Sequence, residues 1–286
     1  MEISCLRPGD AGWPPDFGQA SPPPKRLFVR GRFAPALGVA IVGTRRMSAY
    51  GRACVEWLAP EIVRLGLPVV SGLALGIDGV AHEAALAANG TTTAVIGSGV
   101  DDASVYPRAH LGLARRILAG GGAVVSEYAP GTPSMPYHFP ARNRLIAALA
   151  RAVLVIEAPK KSGAMITARL ALEMGRDVWA VPGAITQPNS EGPNSLIQNG
   201  ATPITGPEDI AAALGLAPRQ AALPTLNDAS PEERPILELL AAGTDTADAI
   251  ARTLQRPIPA VSALLTGLEL RGAVRTVGGG RYTLYT

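Results

Sequence analysis

Six short runs of apolar residues, each followed by a stretch with helical periodicity, dominate the sequence between residues 39 and 181. The runs are 39–42, 68–72, 92–96, 123–126, 152–156 and 177–181. They lack the apolar–polar alternation of a strand with one exposed face, and therefore predict a parallel sheet buried on both faces. Strands that alternate with helices in this way are typical of a doubly wound α/β fold.

The flanking segments have a different character. Residues 1–37 are Pro-rich and irregular, with one strand candidate at 27–29, and we expect an arm that packs on a main domain of residues 38–216. Residues 217–228 predict a linker. Residues 229–286 read as three helices and a hairpin, which is the layout of a winged-helix domain with a helix–turn–helix pair.

The net charge and its distribution do not by themselves indicate a nucleic-acid-binding protein. Hydrophobic residues make up 47% of the chain, enough for a sizeable core, and the net charge is only +3. Of the 26 basic residues, three are lysines and the rest are arginines. That bias fits either a coding preference or the use of arginine as a phosphate fork. Residues 225–286 hold six arginines and seven acidic residues, which favours protein contact or packing over reading of duplex DNA.

Several classes of function are excluded or disfavoured. Two cysteines and three histidines make a poor zinc set, so we expect no metal site. No apolar run reaches the length of a membrane span and the N-terminus lacks a signal layout, so a cytoplasmic protein without membrane contact is expected. Neither a dinucleotide fingerprint nor a Walker A motif is present, and we predict no cofactor.

Ligands of open α/β sheets bind beyond the carboxyl ends of the strands. The segments after the predicted strands carry glycine, hydroxyl, arginine and aromatic side chains, and glycine and hydroxyl residues at helix starts suit phosphate. The candidate binding residues are Gly43, Thr44, Arg45, Arg46, Ser48, Gly72, Gly97, Gly99, Phe139, Arg142, Asn143, Arg144, Ser162 and Gly163.

Three arginines stand out by position. Arg45 directly follows a strand, and Arg142 and Arg144 open a helix predicted at 141–149, where the helix dipole disfavours cations. Either an anion binds between them, or one of them pairs with Glu127 or Glu157. Phe139 is suited to stacking on an unpaired base, and equally to packing in the core. The sequence spacing does not indicate an arrangement of nucleophile, base and acid, so no catalytic residue is predicted.

Taken together, the segments resemble the DNA-processing protein A (DprA or Smf) family. The resemblance is carried by Val39–Arg45, by Ser71-Gly72-Leu73-Ala74 with Gly76-Ile77-Asp78, by Tyr106-Pro107, and by the run Phe139-Pro140-Ala141-Arg142-Asn143-Arg144. It spans about residues 13–214 in order.

This resemblance implies a Rossmann-like domain that binds single-stranded DNA in a basic pocket. It also implies a homodimer that protects the DNA and loads the RecA recombinase during natural transformation, without catalysis or a cofactor. Two departures are that residues 134–137 hold no lysine before Phe139, and that Leu75 stands where relatives often have arginine. The alternative is a nucleotide-processing enzyme of the phosphoribohydrolase type, for which 162–167 would be the corresponding helix start.

Overall fold

The structure is a computed structural model that describes residues 2–33, 37–216, 230–270, 273–277 and 280–284. The chain forms two compact units, Met1–Gly215 and Leu216–Thr286. The predicted linker at 217–228 and residues 278–279 of the predicted C-terminal hairpin lie outside the described residues. Within the described residues, no helix is long and apolar enough to cross a membrane.

The first unit is built on a mixed, mostly parallel sheet of nine strands. They are β1 (Ile3–Leu6), β2 (Leu27–Gly31), β3 (Gly38–Val42), β4 (Val69–Ser71), β5 (Thr92–Val95), β6 (Ala123–Ser126), β7 (Ala150–Val155), β8 (Asp177–Ala180) and β9 (Thr202–Pro203). Their order across the sheet is β1-β2-β6-β5-β4-β3-β7-β8-β9. The six predicted strands are all present and pair in parallel, which confirms the doubly wound, Rossmann-like fold class.

In the described part of this unit, six α-helices lie between these strands and a seventh follows β9. They are α1 (Ala49–Arg64), α2 (Ile77–Ala87), α3 (Leu111–Ala119), α4 (His138–Ala148), α5 (Gly163–Glu173), α6 (Glu191–Gln198) and α7 (Pro207–Ala213). The parallel strands are mostly apolar because helices cover both faces of the sheet; every residue of β3 is buried. Serine side chains begin two of the helices: Ser48 accepts a hydrogen bond from the Gly51 N–H, and Ser162 accepts one from the Met165 N–H.

The N-terminal arm extends the sheet as well as packing on it. β2 confirms the strand candidate and pairs antiparallel with β6, while β1, which the sequence did not indicate, pairs antiparallel with β2. β1 is only four residues long and partly exposed, so it leaves no extended apolar run in the sequence. Between these strands, Phe17 is fully buried and meets Trp13 edge-to-face, with ring centroids 5.4 Å apart.

Two helices begin earlier than the sequence indicates. α4 starts at His138 instead of residue 141, and α6 forms partly within 187–194, which reads as a loop. In both helices a proline, Pro140 or Pro193, occupies the third helical position. The first-turn N–H groups of a helix have no intrahelical partner, so proline costs little there, although it is a loop signal in a sequence.

The second unit has the winged-helix layout. It contains α8 (Arg234–Ala241), α9 (Ala247–Leu254), α10 (Ile258–Leu270), β10 (Val274–Thr276) and β11 (Tyr282–Leu284), and the two strands form an antiparallel hairpin. Ile236, Ile250 and Leu265 are fully buried in its own core. The α9–α10 pair is the predicted helix–turn–helix, and α10 carries no lysine or arginine between residues 258 and 270.

We predict that Phe17→Ala removes about 3–5 kcal/mol from the free energy of unfolding of the first unit, because a fully buried ring leaves a cavity. Urea unfolding followed by tryptophan fluorescence measures this unit alone, since all three tryptophans, at 13, 57 and 179, lie in it. Ile185→Ala is the control: that side chain is 91% exposed, and its loss should change stability by less than about 0.5 kcal/mol. Equal effects of the two substitutions would mean that the arm is not part of the core.

Candidate nucleic-acid interface

The carboxyl ends of the parallel strands open into a cavity of about 660 Å³. Its walls come from the loops after β3, β4 and β7 and from the start of α4. Eight of the predicted binding residues line it: Gly43, Thr44, Arg45, Phe139, Arg142, Asn143, Ser162 and Gly163. The structure does not place Arg46, Ser48, Gly72, Gly97, Gly99 or Arg144 on the wall of this cavity.

Glu157, at the end of β7, holds the first loop of the cavity in place. Its carboxylate accepts hydrogen bonds from the Ser48 hydroxyl at 2.5 Å and the Ser48 N–H at 2.8 Å, and its backbone carbonyl accepts the Thr44 N–H at 2.6 Å. A Cβ at Gly51 would lie 2.4 Å from the Glu157 carboxylate, so a larger residue there would displace this carboxylate from Ser48. Ser48 is thus a cap and anchor of α1, and Glu157 pairs with neither arginine that the sequence proposed for it.

Arg142 is a buried cation that bonds the strand ends. Its Nη1 donates to the carbonyl of Gly72, at 2.6 Å, and to that of Val95. Burial lowers the pKa of Arg142 to about 10, an effect that the nearby Asp78 opposes and Arg45 increases. Burial likewise raises the pKa of Asp78, partly offset by Arg142 and by backbone N–H groups, including that of Gly72 at 3.1 Å. Both side chains line the cavity as parts of its frame.

Arg144 points away from the cavity. Its Nη2 lies 2.8 Å from the carboxylate of Glu127, and both side chains are largely buried. Pairing with Glu127 was one of the two readings that the sequence left open. The dipole argument for Arg142 and Arg144 was wrong, because α4 begins at His138 and both arginines lie beyond its first turn.

An aromatic wall and a cation form one side of the cavity. The Arg45 guanidinium carbon lies 5.2 Å from the centroid of the Phe139 ring. The centroids of the Tyr106 and Phe139 rings are 5.7 Å apart, and the angle between the ring planes is 50°. Phe139 is half-buried, and Tyr106 and Arg45 are exposed. Phe139 therefore belongs to the cavity wall and not to the interior of the core.

The N-terminus of α5 lies on another wall. Gly163 and Ala164 occupy its first two positions, where N–H groups have no intrahelical acceptor and favour an anion. A Cβ at Gly163 would meet only the Asn143 Nδ2, at 3.9 Å, so the space beside this backbone is open. Asn143 in turn donates to the Gly163 carbonyl at 3.1 Å, which ties α4 to α5.

The predicted glycines away from the cavity have packing roles. A Cβ at Gly72 would lie 2.5 Å from Arg142 Nη1, and one at Gly99 would lie 2.7 Å from Asp101 Oδ1. The Gly97 carbonyl accepts a hydrogen bond from His138 Nδ1 at 2.9 Å. A Cβ added at Gly97 would lie 3.2 Å from the Cβ of His138. Gly72 lines a small adjoining cavity of about 30 Å³ together with Arg45 and Phe139.

Comparison with known proteins extends over most of the chain. Residues 4–215 match the family described as DNA recombination-mediator protein A, and residues 217–280 match the DprA winged helix domain. The chain belongs to the DNA recombination-mediator protein A family. It is 41% identical to Protein Smf of Escherichia coli over 291 residues, which is 96% of this chain and 76% of the relative.

Two solved structures of the family are similar to the first unit. DNA processing protein A from Streptococcus pneumoniae is 40% identical, with a TM-score of 0.68 over 74% of each chain. DNA processing protein A from Helicobacter pylori, whose structure concerns its binding of single-stranded DNA, is 31% identical, with a TM-score of 0.66 over 75% of this chain and 96% of that one.

Tyr106, which was not among the predicted binders, is on the cavity wall, and two further residues that were not predicted are next to lining residues in the sequence. Tyr106 appeared in the sequence only as part of a Tyr-Pro match. Lys160 and Lys161 are exposed and lie between two lining residues, Pro159 and Ser162. The available signal was the scarcity of lysine: two of the three lysines in the chain are adjacent, directly before a helix-capping serine.

The histidines are structural. His82 does not pair with Asp78, although the two are four residues apart on α2; its Nδ1 lies 2.7 Å from Thr92 Oγ1. Thr92 donates its own proton to the Val69 carbonyl, so it accepts from an Nδ1–H of neutral His82. Among the described residues, Nε2 of His82 has no partner, and no group of three or more histidine, cysteine or acidic residues could hold a metal ion.

We predict that His82 makes the first unit acid-sensitive. Burial lowers the pKa of His82 from 6.5 to about 3, so between these values the unfolded chain binds a proton that the folded protein does not. Stability therefore falls as the pH is lowered through this window, by about 1.4 kcal/mol per pH unit for this one group. His82→Gln offers Thr92 an amide donor that does not titrate. The free energy of unfolding of this variant, measured with urea, should depend less steeply on pH. Parallel pH profiles for the two proteins would contradict the assignment.

Proposed function

We propose that this protein binds single-stranded DNA at the cavity, protects it, and loads the RecA recombinase onto it in natural transformation or recombination. The observation that supports DNA binding best is the guanidinium of Arg45 lying 5.2 Å from the Phe139 ring centroid, on a cavity that also holds the N-terminus of α5. Membership of the family and the DNA-binding relative from Helicobacter pylori support the same assignment.

Each part of the cavity has a role in this proposal. The Phe139 and Tyr106 rings offer faces on which bases stack, and stacking tolerates any base because every base has a π-face. Arg45 supplies a charge for a phosphate, and the free N–H groups of Gly163 and Ala164 supply hydrogen-bond donors. Such a site holds the strand by its backbone and its stacking faces, so its affinity should depend strongly on salt and weakly on sequence.

We propose binding and not catalysis as the role of this site. Asp78 is the acidic residue on the described cavity wall, and it is 7% exposed and already accepts the Gly72 N–H beside Arg142. His82 and His138 bond to neighbours in the core. The residues that remain accessible, Arg45 and the rings, are suited to holding a strand.

The recombinase step is supported by the family description, and the homodimer only by the resemblance drawn from the sequence. The family description names a mediator of recombination, and such a mediator acts on DNA together with a recombinase. RecA filament formation on oligo-dT, followed with and without this protein, tests the first, and sedimentation equilibrium tests the second. Unchanged RecA nucleation in the presence of bound protein would contradict the loading role.

We predict that Phe139→Ala weakens binding of oligo-dT about five- to 150-fold, the equivalent of one lost stacking contact of about 1–3 kcal/mol. Phe139→Trp should retain binding because it keeps a π-face. Arg45→Ala should lower the slope of log K against log salt by about 0.7, the contribution of one phosphate on a single strand. Fluorescence anisotropy of labelled oligo-dT at a series of salt concentrations measures both effects.

Arg26 is a matched control for Arg45. Its guanidinium carbon also lies over a phenylalanine ring, 5.3 Å from the centroid of Phe28, but on the N-terminal arm and away from the cavity wall. Arg26→Ala should leave affinity and salt slope unchanged. Arg144 is unsuitable as a probe, because its removal would leave the largely buried Glu127 without its ion-pair partner. Binding that survives both Arg45→Ala and Phe139→Ala unaltered would exclude this cavity as the DNA site.

A further inference from the structure

Four exposed cations stand on two adjoining loops at one side of the cavity. Arg45 and Arg46 follow β3, and Lys160 and Lys161 follow β7; all four side chains are exposed. β3 and β7 are neighbouring parallel strands, so these loops leave the same edge of the sheet side by side. We name these four residues the cationic ridge.

Hydrogen bonds fix the two loops to each other. Thr44 N–H donates to the Glu157 carbonyl at 2.6 Å, and the Glu157 carboxylate holds Ser48. Asn189 spans both loops: its Nδ2 donates to the Arg46 carbonyl at 3.0 Å, and its own carbonyl accepts the Ala158 N–H at 2.7 Å. The backbone under the ridge is therefore one connected platform.

The ridge carries charge that the protein does not neutralise. Among the described residues, none of its four side chains forms an ion pair, whereas Arg52 and Arg64 on the adjacent α1 pair with Glu56 and Glu61. Glu157, whose carboxylate anchors Ser48 on the loop of Arg45 and Arg46, is 4% exposed and already accepts hydrogen bonds from Ser48. Four like charges at one edge repel one another, and a polyanion laid along them relieves that repulsion.

We propose that Lys160 and Lys161, together with Arg45 and Arg46, carry the phosphates of single-stranded DNA past the cavity while the Tyr106 and Phe139 rings take its bases. This inference rests on the proposed function and adds the path of the backbone to it. Lysine suits such a role as a flexible point charge for phosphates that are not read individually. Residues 134–137, which lead up to Phe139, hold no cation, so the lysine pair supplies positive charge that this segment lacks.

Amine labelling tests the path directly because the chain has only three lysines. Full-length protein is treated with an amine-reactive ester, with and without oligo-dT, and the labelled lysines are quantified by mass spectrometry. We expect slower labelling of Lys160 and Lys161 in the complex. Lys25 is the internal control: it is exposed and precedes β2, which lies five strand positions from β7, about 24 Å away. Its labelling should not change.

The double variant Lys160→Ala/Lys161→Ala supplies an independent readout. It should lower the slope of log K against log salt for oligo-dT by about 1.4, the contribution of two phosphates. Arg151→Ala is the matched control, since that exposed arginine stands at the amino end of β7, on the opposite edge of the sheet, and its removal should leave the slope unchanged. Thermal unfolding of each variant checks that the fold is intact.

The outcomes separate the two proposals. Protection of both lysines together with the reduced slope supports the path. Wild-type binding of oligo-dT with unprotected lysines and an unchanged slope in the double variant overturns the path and leaves the proposed function standing. Absence of oligo-dT binding by the wild-type protein overturns the proposed function, and the ridge assignment falls with it.

Discussion

The carboxylate of Glu157 organises the edge of the sheet where the cavity lies. It is 4% exposed and stands two residues beyond the end of β7. A buried charge is costly unless hydrogen bonds satisfy it, and Ser48 supplies two donors, the hydroxyl and the N–H. Because Ser48 also caps α1, the same contact sets where that helix begins and aligns the loop that carries Arg45, and glycine at position 51 leaves room for the carboxylate.

The arginines divide into two groups according to what surrounds them. Arg142 bonds carbonyls at the ends of neighbouring strands, and Arg144 pairs with Glu127, so both hold the frame. Arg45 is exposed, lies over an aromatic ring and has no acidic partner among the described residues. The modest net charge of +3 is compatible with this division, because a site for a polyanion needs only a few unneutralised cations in one place.

The sequence predicted the parallel strands and the edge at which the site lies, because apolar runs and strand-end loops follow from local pattern. It did not separate Arg45 from Arg144, since a pairing between α4 and the end of β6 depends on tertiary packing. Nor did it show that the Ser48 hydroxyl is hydrogen-bonded to Glu157, 109 residues further along the chain. Prolines in first helical turns concealed the starts of α4 and α6, and four residues of partly exposed edge strand concealed β1. The sequence showed which residue types stand at the strand ends, but not which side chains form ion pairs or hydrogen bonds with each other in the folded protein.

We propose that one cavity, framed by Glu157 and Arg142, receives single-stranded DNA. A structure of the full chain with a short deoxythymidine oligomer tests this most directly. We expect a base stacked on Phe139 and Tyr106, a phosphate at the N-terminus of α5, and the contacts of Glu157 with Ser48 unchanged. An oligomer bound elsewhere on the protein, with the cavity free of DNA, would contradict it.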